Sequence, residues 1–403
     1  MEYPITKRAE TEGTASDKLV LLARLRRALA DVMNIEDWAI RRRPDEVISF
    51  LGSVHGDTES AFDHIEEQFA KLGYTARLNE RPDGKHEVHA IKGLVEKKGS
   101  RIWVNVVLFV ATVLSVLYIG ARTDLVYTGA FDGLAGSELD RAVLLMPLRN
   151  LQRGIPFAAT LLAILVTHEA SHYVVGRRYG STSLPYFIPI PEGYLGTMGA
   201  LIVQRTPMRN RKVVFDTGIA GPIGGLVVAI PLLAIGLALS DVGPIPPGTD
   251  AVMQEGNSLL YAGMKYLMFG RLLPDGTEDV WLHPVAFAAW AGLLVTMINL
   301  LPIGQLDGGH ISYALLGRRA RSVGMALIVV MVGWGSWLMS QGNDAGWLWL
   351  MWGALNALLN TRHPPPLDDA TGLRGWRIAA GLATLAILVL LLIPAPFSIV
   401  ELP

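Results

Sequence analysis

The sequence predicts a polytopic α-helical membrane protein of about seven transmembrane helices, preceded by a small N-terminal α+β domain. Three observations carry that class. The 403 residues are 51% hydrophobic and only 18% charged, against roughly 25% charged in an ordinary soluble domain. Charged residues crowd positions 1–101, and long apolar runs follow. Several of those runs reach the about 20 helical residues needed to cross a hydrocarbon core about 30 Å thick. The chain has no cysteine, which excludes disulfides, thiolate zinc sites, iron–sulfur clusters and a cysteine nucleophile. Any metal must therefore be held by His and carboxylate groups. A net charge of −1 gives no electrostatic reason to expect nucleic acid as the partner.

Residues 1–45 read as a tail with a basic amphipathic helix. Lys7, Arg8, Glu10, Glu12, Asp17 and Lys18 precede any apolar run, so the unbroken apolar stretch of a cleavable signal peptide is missing and the amino terminus is expected to stay attached. From about Lys18 to Arg43, Leu21, Leu22, Leu25, Leu29 and Val32 recur at helical spacing among arginines. Such a helix lies on the membrane or on the next domain; the alternative is a solvated helix with one packed face.

Residues 46–98 read as a small soluble α+β domain of β-α-β-β order: an apolar run over Val47–Val54, a helix from about Asp57 to Leu72, and strands near Tyr74–Glu80 and His86–Ile91 joined by the Pro82-Asp83-Gly84 turn. A core of roughly fifty residues is marginal alone, so packing against the preceding helix or the membrane part is expected. His86 and His89 fall on opposite faces of a strand and read as polar strand residues rather than metal ligands.

Residues 99–403 read as the membrane domain. Crossings are expected near Ile102–Ala121, Ile155–Val175, Ile219–Leu239, Pro284–Leu301, Val323–Met339, Trp347–Leu359 and Ile378–Ile393, with Ala142–Leu151 and Leu259–Phe269 as half-membrane segments. Lys97, Lys98 and Arg101 precede the first crossing, and Arg177, Arg178, Arg205, Arg209, Arg211 and Lys212 lie between the second and third. Basic residues favour the cytoplasmic side, which places the N-terminal domain and the mouth of any site there. Arg122, Arg141, Arg149 and Arg153 blur the asymmetry.

The chemistry is concentrated in the second crossing, which contains His168-Glu169-Ala170-Ser171-His172. Two imidazoles four residues apart share one helical face, a metal-binding spacing. In the structural alternative the histidines bond neighbouring helices and Glu169 pairs with an arginine. A catalytic zinc needs three protein ligands and an open position. The third candidate is Asp307, within Asn299-Leu300-Leu301-Pro302-Ile303-Gly304-Gln305-Leu306-Asp307-Gly308-Gly309-His310, since a carboxylate at membrane depth is costly unless paired or metal-bound. The proline and glycines there predict a helix break beside protein or a water-filled cavity. His310 is the rival ligand, although the glycines before it are better placed to aim Asp307.

His168-Glu169-x-x-His172 on one crossing, with Asn299-x-x-Pro302 and Leu306-Asp307-Gly308 after a later one, resembles the site-2 protease family of intramembrane zinc metalloproteases. The likeness covers roughly residues 150–320 and implies a site-2 protease-like core, with one Zn2+ per chain held by His168, His172 and Asp307. It further implies that Glu169 is the general base, that Asn299 holds the substrate or its oxyanion, and that the substrate is a transmembrane segment of another protein in the bilayer, cut in regulated intramembrane proteolysis. Where the family usually has a second proline, this chain has Gly304. Gly304-Gln305-Leu306-Asp307-Gly308-Gly309, His283-Pro284 and His363-Pro364-Pro365 are similar to the branch typified by plastid proteins affecting gravitropism and greening.

Gly196 to Gln204 reads as glycine followed by strand. The resemblance implies a membrane-embedded hairpin, whose edge at Gly199, Ala200 and Leu201 would hold unwound substrate by β-addition; the alternative is a surface loop that positions the third crossing. Gly218, Gly221, Gly224 and Gly225 read as close helix packing, and His55, His64, His283 and His363 as structural. A polytopic transporter or channel using His168, Glu169, His172 and Asp307 as a metal or proton path is the competing function. An inactive scaffold of the same fold is the third.

Overall fold

The structure, a computed structural model, describes residues 15–41, 47–95, 101–180, 183–202, 204, 206–244, 252–358 and 362–400. In the amino-terminal part, α1 (Ala15–Ala30), β1 (Met33–Arg41), β2 (Val47–Val54), α2 (Thr58–Lys71), β3 (Tyr74–Glu80) and β4 (His86–Lys92) follow in order. The strands form an antiparallel sheet in the order β1-β2-β4-β3. The expected β-α-β-β segment is observed, and Asp57 caps α2 by accepting the Ser60 N–H at 3.1 Å. The expected helix to Arg43 is not: α1 stops at Ala30, and Met33–Arg41 instead pairs along β2 from Met33 opposite Val54 to Arg41 opposite Val47. The helical spacing of apolar residues ends at Leu29, and beyond it a ladder to β2 satisfies more backbone groups than a helix end left in water. The sheet thus begins upstream of residue 46. Leu22, Leu25 and Leu29 of α1 are buried with Phe50, Phe62, Ile65 and Phe69, which supplies the packing that the small core needs.

The second part contains α3 (Ile102–Tyr127), α4 (Gly136–Arg149), a single 3₁₀ turn at Leu151–Gly154, α5 (Ile155–Arg178), β5 (Tyr186–Pro189), β6 (Thr197–Leu201), α6 (Arg211–Ala238), β7 (Asp241–Pro244), β8 (Val252–Glu255) and α7 (Leu259–Phe269). It continues with β9 (Glu278–Trp281), α8 (Pro284–Asn299), α9 (Asp307–Leu316), a 3₁₀ turn at Gly317–Arg319, α10 (Ala320–Ser340), α11 (Gly346–Leu358), α12 (Trp376–Leu391) and β10 (Phe397–Val400). Among the described residues, four helical stretches are long and apolar enough to cross a membrane: Ile102–Tyr127, Leu151–Arg178, Arg211–Ala238 and Asp307–Ser340. The expected count of about seven is therefore not reached by length. Helices α8 and α12 have 16 residues and α11 has 13, so at 1.5 Å per residue they span about 20–24 Å, short of a hydrocarbon core about 30 Å thick.

Helix α8 explains why an apolar run need not be a full crossing. Ala286 to Leu294 are all buried, and Trp290 lies among the largest fully buried side chains. A helix that is apolar all round belongs at the centre of a bundle, and α8 packs between α5 and α6 there.

The two parts are tied by a strap of residues 362–371, which runs from α11 to α12. Its Leu367 carbonyl accepts from Leu78 N–H and its Asp369 N–H donates to Leu78 O, both at 2.8 Å, so it adds to β3. On its other side Leu367 and Asp368 donate to the carbonyls of Met208 and Arg209 at 2.9 and 2.7 Å, just before α6. Ion pairs from Arg209 to Asp63 and from Lys212 to Glu59 join the same surfaces. Several basic residues expected to mark one face of the membrane thus also dock the amino-terminal part. Arg42, Arg43, Lys97, Lys98, Val203 and Arg205 lie outside the described residues.

Candidate metal centre

Helix α5 presents His168 and His172 from consecutive turns of one face. Both are buried, as is Glu169 between them. Asp307 arrives from far along the chain as the first residue of α9, after the broken segment of residues 300–306. Gly304 in that break has φ +54°. Proline is locked near −65° and cannot adopt that conformation, so the chain takes a path here that the family's usual second proline would forbid.

The three side chains meet. The His168 and His172 Nε2 atoms are 3.2 Å apart, Asp307 Oδ2 is 3.1 Å from His168 Nε2, and Asp307 Oδ1 is 3.1 Å from His172 Nε2. Among the described residues this is the one group of three or more His, Asp or Glu donors arranged to hold a metal ion. Tetrahedral zinc with ligand bonds of about 2.0–2.2 Å separates neighbouring donors by about 3.3 Å, close to the 3.2 Å between the imidazole nitrogens and to the 3.1 Å from each of them to its nearer Asp307 oxygen. The tautomer agrees. His172 Nδ1–H donates to the Thr217 carbonyl at 2.7 Å, leaving the Nε2 lone pair aimed at the shared centre. The donor set fits one Zn2+ per chain.

Helix α6 makes room for this arrangement. A Cβ built on Gly221 would stand 2.0 Å from His172 Nε2, so any larger residue there must push the imidazole off its position. The expected close packing along Gly218, Gly221, Gly224 and Gly225 is present, and the structure adds what it packs against: the metal-ligating face of α5 and, at Gly218, the Cβ of His310. Pro222 has no N–H to offer the Gly218 carbonyl, and the neighbouring Thr217 carbonyl is the one turned to His172.

His310 is not part of the triangle. Its Nδ1 lies 2.6 Å from His363 Nε2, and His363 stacks on Tyr313 with ring centroids 4.3 Å apart. Among the described residues the rival third ligand is not in the donor group, which consists of His168, His172 and Asp307. Reading His363 as merely structural missed this contact, because nothing local marks a partner 53 residues away. His283 caps α8, accepting the Val285 N–H at 3.3 Å. The arginine that the structural alternative requires for Glu169 is not there: among the described residues no Arg or Lys forms an ion pair with it.

Asn299 is the last residue of α8, half-buried at the entrance to the break. Gly199, Ala200 and Leu201 lie on β6, which pairs with β5 through Phe187 opposite Ala200 and Tyr186 opposite Leu201. A hairpin is therefore formed, packed on α3 and α5. Among the described residues the outer edge of β6 has no strand partner.

A family model described as Peptidase family M50 matches residues 156–340, which takes in His168, Glu169, His172 and Asp307. Over that segment the chain is similar to peptidase family M50, the site-2 protease family of zinc metalloproteases. It is also similar to the Probable zinc metalloprotease EGY1, chloroplastic, of Oryza sativa subsp. japonica, at 28% identity over 89% of this chain and 65% of that protein. The Arabidopsis thaliana protein of the same name is 29% identical over 91% of this chain and 71% of its own length. The Probable zinc metalloprotease EGY2, chloroplastic, of Oryza sativa subsp. indica is 31% identical over 62% of this chain and 44% of its own. The chain thus spans about two thirds of the first two relatives and less than half of the third. No solved structure matches it significantly.

Proposed function

We propose that this chain is an intramembrane zinc endopeptidase that cuts transmembrane segments of other membrane proteins. The observation that carries this reading is the triangle of two imidazole nitrogens and one carboxylate, with edges of 3.1–3.2 Å, inside an apolar bundle. Zinc bound there supplies Lewis acidity, bringing a water molecule's pKa toward ~7 and polarising a peptide carbonyl. The chain's own residues do the rest. Glu169 is adjacent to His168, buried and unpaired with any described cation, so its carboxylate is available to take the proton of the attacking water and return it to the leaving amine. Asp307 and the two histidines hold the centre, with His172 oriented by the Thr217 carbonyl. For Asn299, the half-buried last residue of α8, the role is to steady the substrate carbonyl.

A helical substrate hides its carbonyls in hydrogen bonds, so it must unwind before attack. The outer edge of β6 at Gly199, Ala200 and Leu201 offers main-chain partners to the extended segment. We read the part from α1 and β1 to about residue 98 as a soluble domain, residues 99–403 as the membrane domain and about 150–320 as its catalytic core. The amino-terminal part docks at the start of α6 through the Arg209–Asp63 and Lys212–Glu59 ion pairs. The preference of basic residues for the cytoplasmic side places that part and the site mouth there, in a multi-pass protein.

The test is Glu169→Gln in the detergent-solubilised full chain with a single-span substrate. Cleavage should fall about 10²–10⁴-fold while bound zinc is unchanged. Cleavage at the wild-type rate would remove Glu169 from the chemistry.

A further inference from the structure

The strap of residues 362–371 reaches more than the amino-terminal part: it also grips α9, the helix that delivers Asp307. Asp307, His310 and Tyr313 recur at three-residue intervals and so lie along one side of this short helix. The strap holds two of the three. His363 Nε2 is 2.6 Å from His310 Nδ1, a distance that places one proton between the rings. The Tyr313 hydroxyl donates to Asp369 Oδ1 at 3.0 Å while its ring stacks on His363. Asp369 is buried and accepts from Arg211 Nε at 3.0 Å, which anchors the strap to the first turn of α6. Arg211 in turn opens the helix whose Thr217 carbonyl orients His172 and whose Gly221 makes space for its ring.

We infer that His363 and Asp369 are positioning residues for Asp307, fixing the rotation of α9 and with it the place of the third metal donor. The need for such a device is physical. Asp307 stands at the N-terminal end of α9, directly after a break, so no preceding helical turn fixes its rotation there. Gly308 and Gly309 pack against the Leu300 and Gly304 carbonyls, but with no side chains they add no interlocking contact, and rotation about the helix axis is the remaining freedom. Two hydrogen bonds one turn apart, from a segment bonded on both its edges, remove that freedom. The same strap makes backbone hydrogen bonds to Leu78 and accepts from Arg77 at Pro365 O, 3.2 Å away. The amino-terminal sheet is thus two bonded segments from the metal donor, and a load on that sheet is transmitted to α9.

This inference rests on the metal reading of the triangle, and its test separates the two. Zinc affinity is measured on the full chain in detergent by competition with a chromophoric chelator, alongside the thermal unfolding midpoint. Asp307→Ala should abolish tight zinc binding; if it does not, the metal reading itself fails. His363→Ala should weaken zinc by about 10–100-fold, the usual cost of losing an orienting partner of a metal ligand. His363→Gln, whose amide can still meet His310, should recover most of that loss. Tyr313→Phe, which keeps the stack and removes only the hydroxyl, should weaken zinc several-fold with the unfolding midpoint unchanged. The inference is overturned if His363→Gln and Tyr313→Phe both hold zinc as tightly as wild type, or if His363→Gln is no better than His363→Ala, while Asp307→Ala loses it. Should His363→Ala fail to fold, the glutamine and phenylalanine variants still decide.

Discussion

Two histidine pairs lie within one bundle, and the spacing of their nitrogens separates their roles. His168 and His172 face each other at 3.2 Å with the Asp307 carboxylate closing the triangle. His310 and His363 approach to 2.6 Å with no carboxylate joining them. The first spacing leaves room for a cation among three donors; the second is filled by a single shared proton. Both pairs border α9, so a count of histidines near a membrane-depth aspartate does not distinguish ligand from support. The geometry does: His168, His172 and Asp307 converge as one donor group, whereas His310 and His363 turn ring nitrogens on each other.

The largest effect that sharpens this contrast compares Asp307→Ala with His310→Ala. Retained zinc after dialysis should vanish in the first and persist at about one per chain in the second, by metal analysis; the reverse result would exchange the roles of the two residues. Next comes Glu169→Gln, which should slow single-turnover cleavage by about 10²–10⁴-fold with zinc content unchanged. Smaller still is Gly221→Ala. Its new Cβ would stand 2.0 Å from His172 Nε2, so zinc affinity should drop by about 10–100-fold, read by chelator competition. The smallest is Gly263→Ala on α7, where the added Cβ meets nothing within 4 Å. Thermal unfolding there should shift by at most the helix-propensity gain, about 1 kcal/mol. If Gly221→Ala were as silent as Gly263→Ala, the close fit of α6 against the metal face would be immaterial.

The chemistry was more legible in the sequence than the architecture. His168, Glu169 and His172 are readable because a four-residue spacing on an apolar helix is a local signal, and Asp307 because an unpaired carboxylate at such depth is conspicuous. What escaped is long-range. The His310–His363 contact and the Tyr313–Asp369 bond join residues 53 and 56 apart through a strap with no periodicity of its own. Strand β1 escaped because Met33–Arg41 follows a helix closely, and only its pairing with β2 defines it. The count of crossings outran the four long helices because composition cannot tell an apolar helix that faces lipid from one, like α8, that is buried by its neighbours. The Gly218–Gly225 stripe was visible as packing, but not as the surface that leaves space for His172.

The most direct measurement is X-ray absorption at the zinc edge on the purified, zinc-loaded chain. The account predicts a four-coordinate site with only nitrogen and oxygen neighbours at about 2.0–2.1 Å and outer-shell scattering from two imidazole rings. Scattering from three imidazoles, or from none, would contradict it.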